Sequence, residues 1–314
     1  MSGHMADVLI LGPQFRAPNI REALTRAGLQ GPVAAITAGW QEREGELGAL
    51  EDHLGQPVRD LRLYERAEAA FTQDPALHEA HRRRQGELRT LQDLYRARLG
   101  HAKAAARELF AAEDSSELMR NARRAAVAAI RRLDAEHLRT IARLHARHDT
   151  DWSAAKRAVL SRQFDELAHV VGQCHAIFIA GGHVAVLLNR LRLFGLERLL
   201  RTRPVVAWSA GAMAISERVL LFHDHPPQGA GSAEIFEAGL GLVRGAVFLP
   251  HASSRLALDD PTRVALLARR LSPAACLTLD DGTLLHWHGG RLRQCVQSLR
   301  LMRNGRTAPA EAAR

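Results

Sequence analysis

Alternating strand-like and helix-like segments are the feature that most limits the folds open to this chain. Residues 7–12 form an apolar run that ends in glycine, and residues 18–28 follow with apolar residues at helical spacing. Residues 33–38 predict a second strand, 40–54 a second helix and 58–64 a third strand. Strands that alternate with helices at this spacing are typical of a parallel sheet covered by helices. The sequence therefore predicts an α/β fold with a mostly parallel sheet.

A long run without strand-like segments interrupts the alternation between residues 65 and 174. Asp74-Pro75 predicts a helix start, since proline suits the first helical position, and Asp114–Glu117 resembles a capping box that begins a second helix. A third helix is predicted from Asp151. The middle helix would be about 45–50 Å long at 1.5 Å per residue. We therefore predict a projecting, antiparallel helical arm that packs on itself, on the second subunit of a homodimer, or on a target.

The alternation resumes with a strand at 176–180 and another at 205–208. The segments 276–279 and 284–287 are predicted to form a closing hairpin, and the alanine-rich tail that follows lacks apolar periodicity. These boundaries divide the chain into the first part of the α/β core (5–64), the inserted helical arm (65–174), the second part of the core with the candidate site (175–303), and a loose tail (304–314).

The charge of the chain is strongly basic but gives little support for a nucleic-acid partner. The net charge is +9 with 43 basic residues, of which only Lys103 and Lys156 are lysine. Such an arginine bias, together with many alanines and leucines, is typical of a GC-rich genome. Arginine runs on the predicted helices alternate with acidic residues, and aromatic residues make up only 5% of the chain. Nucleic acid is therefore not an expected partner.

The cysteines and the apolar segments favour a cytoplasmic protein. Cys174, Cys276 and Cys295 are widely spaced and match neither a disulfide framework nor a metal motif. No apolar run approaches the ~20 residues of a membrane span, and no secretory signal is visible. His137, His145 and His148 are predicted to lie on a solvated helix end and not at a metal. We expect no metal, no cofactor and no membrane association.

One serine stands in a stretch that can carry chemistry. Val205–Trp208 predicts a buried strand, Ser209 follows, and Ala210, Gly211 and Ala212 begin a helix. Small residues around a serine suit a sharp, strained strand-to-helix turn that raises the hydroxyl above the sheet. The same pattern also fits a strand-to-helix turn that has no catalytic role, so the assignment depends on partner residues.

Candidate partners for Ser209 follow other predicted strands. Gly181 and Gly182, with His183 after them, could join the Ala210 N–H as an oxyanion hole, because glycine permits close approach of a ligand. His251 follows the apolar run 246–250 and is the candidate general base. The carboxylates available to orient this histidine all lie in predicted loops: Asp224, Asp280 and Asp281.

These elements together resemble the peptidase E and cyanophycinase family of serine hydrolases. The resemblance is carried by Gly181-Gly182, the Trp-Ser-Ala-Gly-Ala turn at Ser209, Gly-Leu-Gly-Leu at 239–242 and Pro250-His251. That family belongs to the class I glutamine amidotransferase-like superfamily, so the resemblance implies a flavodoxin-like three-layer sandwich. It also implies that Ser209 is the nucleophile and His251 the general base.

For the acid of the charge relay, the resemblance favours Asp224, which stands where aspartyl dipeptidases of the family carry an acidic residue. Asp280 and Asp281 are the alternative. His183 departs from the asparagine usual in peptidase E-like sequences and borders the substrate, so the peptide specificity stays open. We expect a serine peptidase or amidase that cleaves small peptides; the alternative is an inactive family member that acts as a binding or scaffold module through its helical arm.

Overall fold

The computed structural model describes residues 7–55, 57–222 and 233–312. Its strands are β1 (Val8–Leu11), β2 (Val33–Ile36), β3 (Val58–Asp60), β4 (Ala176–Ile179), β5 (Val205–Trp208), β6 (Arg218–Leu221), β7 (Glu234–Ala238), β8 (Ala246–Pro250), β9 (Ala275–Leu279), β10 (Leu284–His288), β11 (Arg291–Val296), β12 (Leu299–Leu301) and β13 (Thr307–Pro309). Its α-helices are α1 (Ile20–Arg26), α2 (Gly48–Leu54), α3 (Leu63–Gln73), α4 (Pro75–Ala111), α5 (Glu117–Trp152), α6 (Ala158–Gly172), α7 (Val184–Leu193), α8 (Ala210–Ile215), α9 (Ala252–Arg255) and α10 (Pro261–Leu271).

The central sheet has the strand order β11-β10-β1-β5-β4-β2-β3. The five strands from β1 to β3 in this order are parallel, whereas β10 and β11 are antiparallel additions at one edge. Successive strand residues point to opposite faces, so Leu9 and Leu11 pack on one side while Val8 and Ile10 pack on the other. Helices α1 and α2 cover the first side and α3, α7 and α8 the second. The predicted flavodoxin-like three-layer sandwich is confirmed.

A second sheet lies beside the first, with the strand order β13-β12-β9-β8, in which β8 and β9 are parallel. The predicted closing hairpin is wrong, because 276–279 belongs to β9 in this sheet and 284–287 to β10 in the central sheet. The prediction of a loose tail is also wrong for residues 307–309, which form β13 and pair with β12. Backbone hydrogen bonds to a strand edge order this segment in the absence of apolar periodicity.

Three boundaries in the structure differ from the predicted ones. The third strand ends at Asp60, whose carboxylate accepts from the Arg62 N–H at 3.2 Å, and α3 already begins at Leu63. The start of α5 is capped by the Ser116 hydroxyl, which accepts the Met119 N–H at 3.2 Å, while Asp114 holds Ser116. The third helix, α6, begins at Ala158 and not near Asp151, which still belongs to α5.

The inserted helices α4 and α5 form an antiparallel pair of 37 and 36 residues. The start of α4 is as predicted, with Asp74 accepting the Leu77 N–H at 3.0 Å and Pro75 in the first turn. The pair does not project freely along its length, because it packs against β7 and α10. Among the described helices none combines the length and the apolar character that a membrane crossing requires.

The histidines of α5 are also placed differently from the prediction. His137 is buried, and the side chains of His145 and His148 are 12% and 7% exposed. His137 Nε2 lies 2.9 Å from Gln92 Oε1 on α4, and His145 Nε2 lies 3.6 Å from a carboxylate oxygen of Glu237 on β7. His137 and His145 are therefore part of the contact between the insertion and the core, and His148 lies against Arg84 of α4. The predicted solvated helix end is wrong.

Candidate active site

Ser209 occupies a strained turn between β5 and α8. Its backbone angles are φ 48° and ψ −118°, a region that non-glycine residues rarely adopt. Holding a residue there costs on the order of 1–3 kcal/mol, so the surrounding packing must impose the conformation. The serine side chain is partly exposed, although the strand before it and the helix after it are buried. The turn thus raises one hydroxyl above the carboxyl edge of the sheet.

Two glycines explain how this turn fits against β4. A Cβ atom on Gly181 would lie 3.0 Å from the Cβ and 3.6 Å from the Oγ of Ser209. A Cβ atom on Gly211 would lie 2.2 Å from the carbonyl oxygen of Ile179. Only glycine at both positions lets α8 and the Gly181 loop approach this closely. The small residues in the sequence around Ser209 are therefore required by close backbone packing.

The Gly181–His183 loop is fixed by the segment that follows β2. Gly182 has φ +106°, and a Cβ atom there would lie 2.4 Å from the carbonyl oxygen of Gly39. The same oxygen accepts the His183 N–H at 2.8 Å. The His183 side chain is exposed and caps α7 by accepting the Val186 N–H at 3.4 Å. The His183 amide is therefore already hydrogen-bonded within the protein.

His251 begins the segment after β8 in a left-handed conformation, φ 56° and ψ 37°. Its N–H donates to the carbonyl oxygen of Leu279 at 3.0 Å, which ties the residue to the end of β9. Burial lowers the pKa of the imidazole below its ordinary value, and Arg255 and Arg16 act in the same direction against Asp281 and Asp280. The neutral imidazole, the form that accepts a proton, is thus favoured at neutral pH.

Asp280 and Asp281, the acidic pair after β9, lie close to His251. The two carboxylates differ in their hydrogen bonds and exposure. Asp280 Oδ1 accepts from the Ser253 N–H at 3.0 Å and from the Ser253 hydroxyl at 2.8 Å. Asp281 is exposed. The backbone at Asp280 also abuts the end of β1, since a Cβ atom on Gly12 would lie 2.0 Å from the Asp280 carbonyl oxygen.

The carboxyl ends of β1, β5, β8 and β9 therefore lie near one another. β1 and β5 are parallel neighbours with Leu11 paired to Trp208, so Gly12 and Ser209 leave the central sheet side by side. Gly12 touches Asp280, and α8 packs against β8, which ends directly before His251.

The structure does not join the candidate nucleophile and base directly. Within the part of the chain that it describes, no hydrogen bond links Ser209 Oγ to the His251 imidazole. Catalytic hydrogen bonds of this kind are often long before substrate binds and tighten in the substrate complex. Asp224, the acid that the sequence favoured, lies outside the described residues.

Sequence reasoning missed three residues that shape this edge. Gly39 anchors the Gly181–His183 loop, Ser253 engages Asp280, and Arg16 lies close enough to His251 to lower its pKa. A glycine or polar residue within a few positions of a strand end was the available signal. Gly39 follows β2, Ser253 follows β8 and Arg16 follows β1 at such a distance. Many other loop residues also lie near strand ends, so this signal does not single these three out.

Comparison with known proteins identifies the family. The model described as peptidase family S51 matches residues 127–295. Two solved structures are similar: a peptidase from an acI-B1 Actinobacterium, with 13% identity, TM-score 0.49 and coverage of 100% of this chain and 98% of that one; and a putative peptidase E protein from Listeria monocytogenes EGD-e, with 12% identity, TM-score 0.43 and coverage of 95% and 100%. No curated protein matches the chain. Because the family match spans more than half of the 314 residues, the chain belongs to peptidase family S51.

Proposed function

We propose that this chain is a serine peptidase or amidase that cleaves small peptides through an acyl-enzyme at Ser209. One observation carries the proposal: Ser209 has a strained backbone, φ 48° and ψ −118°, between a buried strand and a helix. The Gly181 loop packs against its side chain. Strained backbone of this kind is concentrated at active sites, and a strand-to-helix turn that presents a serine is the known position of a nucleophile, which supports this role for Ser209.

The proposed reaction has two acyl-transfer steps. Ser209 Oγ attacks the carbonyl carbon of the scissile amide while His251 takes the hydroxyl proton. The tetrahedral intermediate then collapses, the C–N bond breaks, and His251 returns the proton to the departing amine. Water attacks the resulting ester by the same route and releases the acid. The lowered pKa of His251 keeps the imidazole able to accept the first proton at neutral pH.

For the oxyanion we propose the backbone N–H groups of Gly182 and Ala210. Ala210 is the first residue of α8, where backbone N–H groups lack partners within the helix. Gly182 belongs to the loop that touches Ser209 through Gly181. The N–H of His183, also a candidate from the sequence, donates to Gly39. We therefore assign His183 to the border of the substrate site through its exposed side chain.

The acid that orients His251 is proposed to be Asp224, on the family resemblance. Asp280 is the less suitable alternative, because Ser253 already engages one of its carboxylate oxygens. Asp281 is exposed, and its charge acts on His251 against the overall lowering of the histidine pKa.

We also propose a cytoplasmic location, for which the free thiols of all three cysteines are suited, and a homodimer formed through the helical insertion.

The test is covalent labelling by a fluorophosphonate, read by intact-protein mass spectrometry. The wild type is expected to gain one adduct, and Ser209→Ala is expected to gain none and to lose peptidase activity by about 10⁴-fold or more. Ser161→Ala is the matched control, since Ser161 is an exposed serine on α6. Equal labelling of wild type and Ser209→Ala would refute the assignment.

A second candidate function is a binding or scaffold module without catalysis. The observation in its favour is that Ser209 and His251 are not hydrogen-bonded in the described part of the chain. Under this alternative the wild type gains no adduct, and a peptide library gives no product in excess of the Ser209→Ala background.

A further inference from the structure

A cavity of about 960 Å³ is lined by residues other than those of the candidate active site. Its walls are the end of α4, the first four turns of α5, one face of α10 and the turn at residues 303–304. Neither Ser209 nor His251 lines it. The volume falls in the range of about 300–1,000 Å³ that small-molecule sites occupy.

All charged residues of the lining are basic. Among the described residues no acidic side chain lines the cavity, and six arginines do: Arg120, Arg123, Arg124, Arg131, Arg269 and Arg303. None of the six forms an ion pair with a carboxylate among the described residues. Hydrogen bonds to Ser116 lower the pKa of the exposed Asp114, and the nearby Arg123 and Arg120 lower it further by a smaller effect. Elsewhere on the same helix pair, exposed arginines such as Arg98 do have carboxylate partners.

Part of this basic lining is held in place by the protein itself. Arg123 donates from Nε to the Leu109 carbonyl at 2.8 Å and from Nη2 to the Ala112 carbonyl at 2.6 Å, at the end of α4. Arg269 Nε donates to the Arg303 carbonyl at 3.0 Å. The centre of the Phe110 ring lies 5.9 Å from the guanidinium carbon of Arg123 and 5.7 Å from that of Arg269. These contacts fix the cationic groups before any ligand arrives.

Other guanidinium donors of the cavity remain available. Arg131 is exposed and has no hydrogen-bond or ion-pair partner among the described residues. Arg124 is exposed, and its one hydrogen bond within the described part of the chain is to the Asn121 side chain. Guanidinium groups bind phosphate oxygens through paired N–H donors, and a chain of phosphates presents several such oxygens close together. Mutually repelling cations around a concave site are relieved by an anion of high charge density.

From this convergence we propose that the cavity binds a small, phosphate-rich anion, a linear chain of three or more phosphates, either free or carried by a nucleoside. The buried Val127 and Ala265 give the cavity an apolar floor beneath its charged rim, as in other small-molecule sites. The site is independent of the chemistry at Ser209. Because the cations surround a cavity and do not form a continuous stripe, a nucleic-acid strand fits it less well.

The test is isothermal titration of the full chain with sodium tripolyphosphate at low ionic strength. Arg124→Gln with Arg131→Gln removes two available donors from the cavity. The matched control is Arg132→Gln with Arg139→Gln, which removes the same charge from exposed α5 residues outside the cavity. We expect the control to bind as the wild type does and the cavity variant to bind at least about tenfold more weakly.

Further arms identify the ligand source and can overturn the proposal. ATP binding more tightly than tripolyphosphate would identify a nucleotide, whereas equal binding would identify the phosphate chain alone. The proposal is overturned if tripolyphosphate does not bind at millimolar concentration, or if both double variants lose affinity equally. It is also overturned if a single-stranded oligonucleotide binds more tightly than tripolyphosphate and both double variants weaken that binding equally. Arg269→Gln, in an exposed residue of a different helix, should repeat the loss if the cavity is the site.

Discussion

The sheet framework and the helical insertion bury different kinds of polar groups. Among the described residues, six buried polar side chains of the framework are hydroxyls: Thr37, Ser216, Ser272, Thr278, Thr283 and Ser298. The buried ionisable and amide side chains lie on α4 or α5 or on core residues that face the inserted helices: His81, Arg84, Gln92, Lys103, Asp134, His137, Arg190, Glu234, Glu237 and Arg270. The framework is thus joined to the insertion through charged contacts.

The centre of this joint is a bidentate ion pair between α10 and α5. Arg270 donates from Nε and Nη2 to the two oxygens of Asp134, each at 2.7 Å, and its Nη1 donates to the Ala233 carbonyl at 2.6 Å. Tyr95 on α4 donates to Asp134 at 2.7 Å and accepts from Arg270 at 2.8 Å. The Ile235 N–H of β7 also donates to the Tyr95 hydroxyl, at 3.2 Å. Four elements therefore share one buried network.

The contrast shows why a helix pair with few large apolar residues can still pack on the core. Nearly half of the buried residues of α4 and α5 carry polar or charged groups, so much of the contact depends on satisfied polar groups. Buried charges specify their partners strictly, because an unpaired buried charge is costly. We therefore expect single substitutions to affect stability more strongly at the insertion than on the framework surface.

The largest effect is expected from Arg270→Leu, which leaves Asp134 buried without its cation. Breaking a buried pair by removing one partner costs about 3–5 kcal/mol, so the free energy of unfolding should fall by that amount in urea titrations. Arg132→Leu is the matched control, because Arg132 is an exposed arginine of α5 with no ion pair among the described residues, and it should change stability by less than about 0.5 kcal/mol. A loss below about 1 kcal/mol for Arg270→Leu would mean that the contact acts as a surface pair.

A smaller effect is expected from acid, through His81 on α4. Burial, with Arg84 and Arg190 nearby, lowers the pKa of His81 to about 3. An unfolded histidine binds its proton near pH 6.5, so between pH 6.5 and about 3 the unfolded chain holds the extra proton. Stability should therefore fall as pH falls through that window, by up to about 1.4 kcal/mol per pH unit from this group. In His81→Leu, urea midpoints at pH 7 and pH 5 should differ less than in the wild type; an unchanged difference would contradict the assignment.

The smallest effect is expected at the candidate active site in the framework. There the structure predicts a change in the pH dependence of kcat/KM without a change in the free energy of unfolding. Burial first, and then Arg255, lower the pKa of His251. Replacing Arg255 with glutamine should raise that pKa, so the acid limb of kcat/KM against pH should move to higher pH. Arg244→Gln, in an exposed residue before β8, should leave the profile unchanged. A profile that is identical in wild type and Arg255→Gln would exclude His251 as the group that titrates.

Local patterns sufficed where one backbone segment carries the signal. The parallel strands, the start of α4 at Asp74-Pro75 and the sharp turn at Ser209 followed from apolar runs, a capping residue and small side chains. The same reasoning failed for 284–287 and 307–309, because strand partners were chosen by sheet edges remote in sequence. Strand pairing is a property of two segments, and one segment alone does not encode which edge is free.

By itself the sequence determined that this chain builds an α/β sheet with a serine at a strand-to-helix turn, because apolar periodicity and small residues act over a few positions. Only the tertiary structure decided that His137 and Asp134 face the core, that the His183 N–H donates a hydrogen bond to Gly39, and that six arginines line one cavity. Each of these depends on which helix faces which strand. That choice is made by long-range packing and by the need to pair buried charges, and neither is visible in a local pattern.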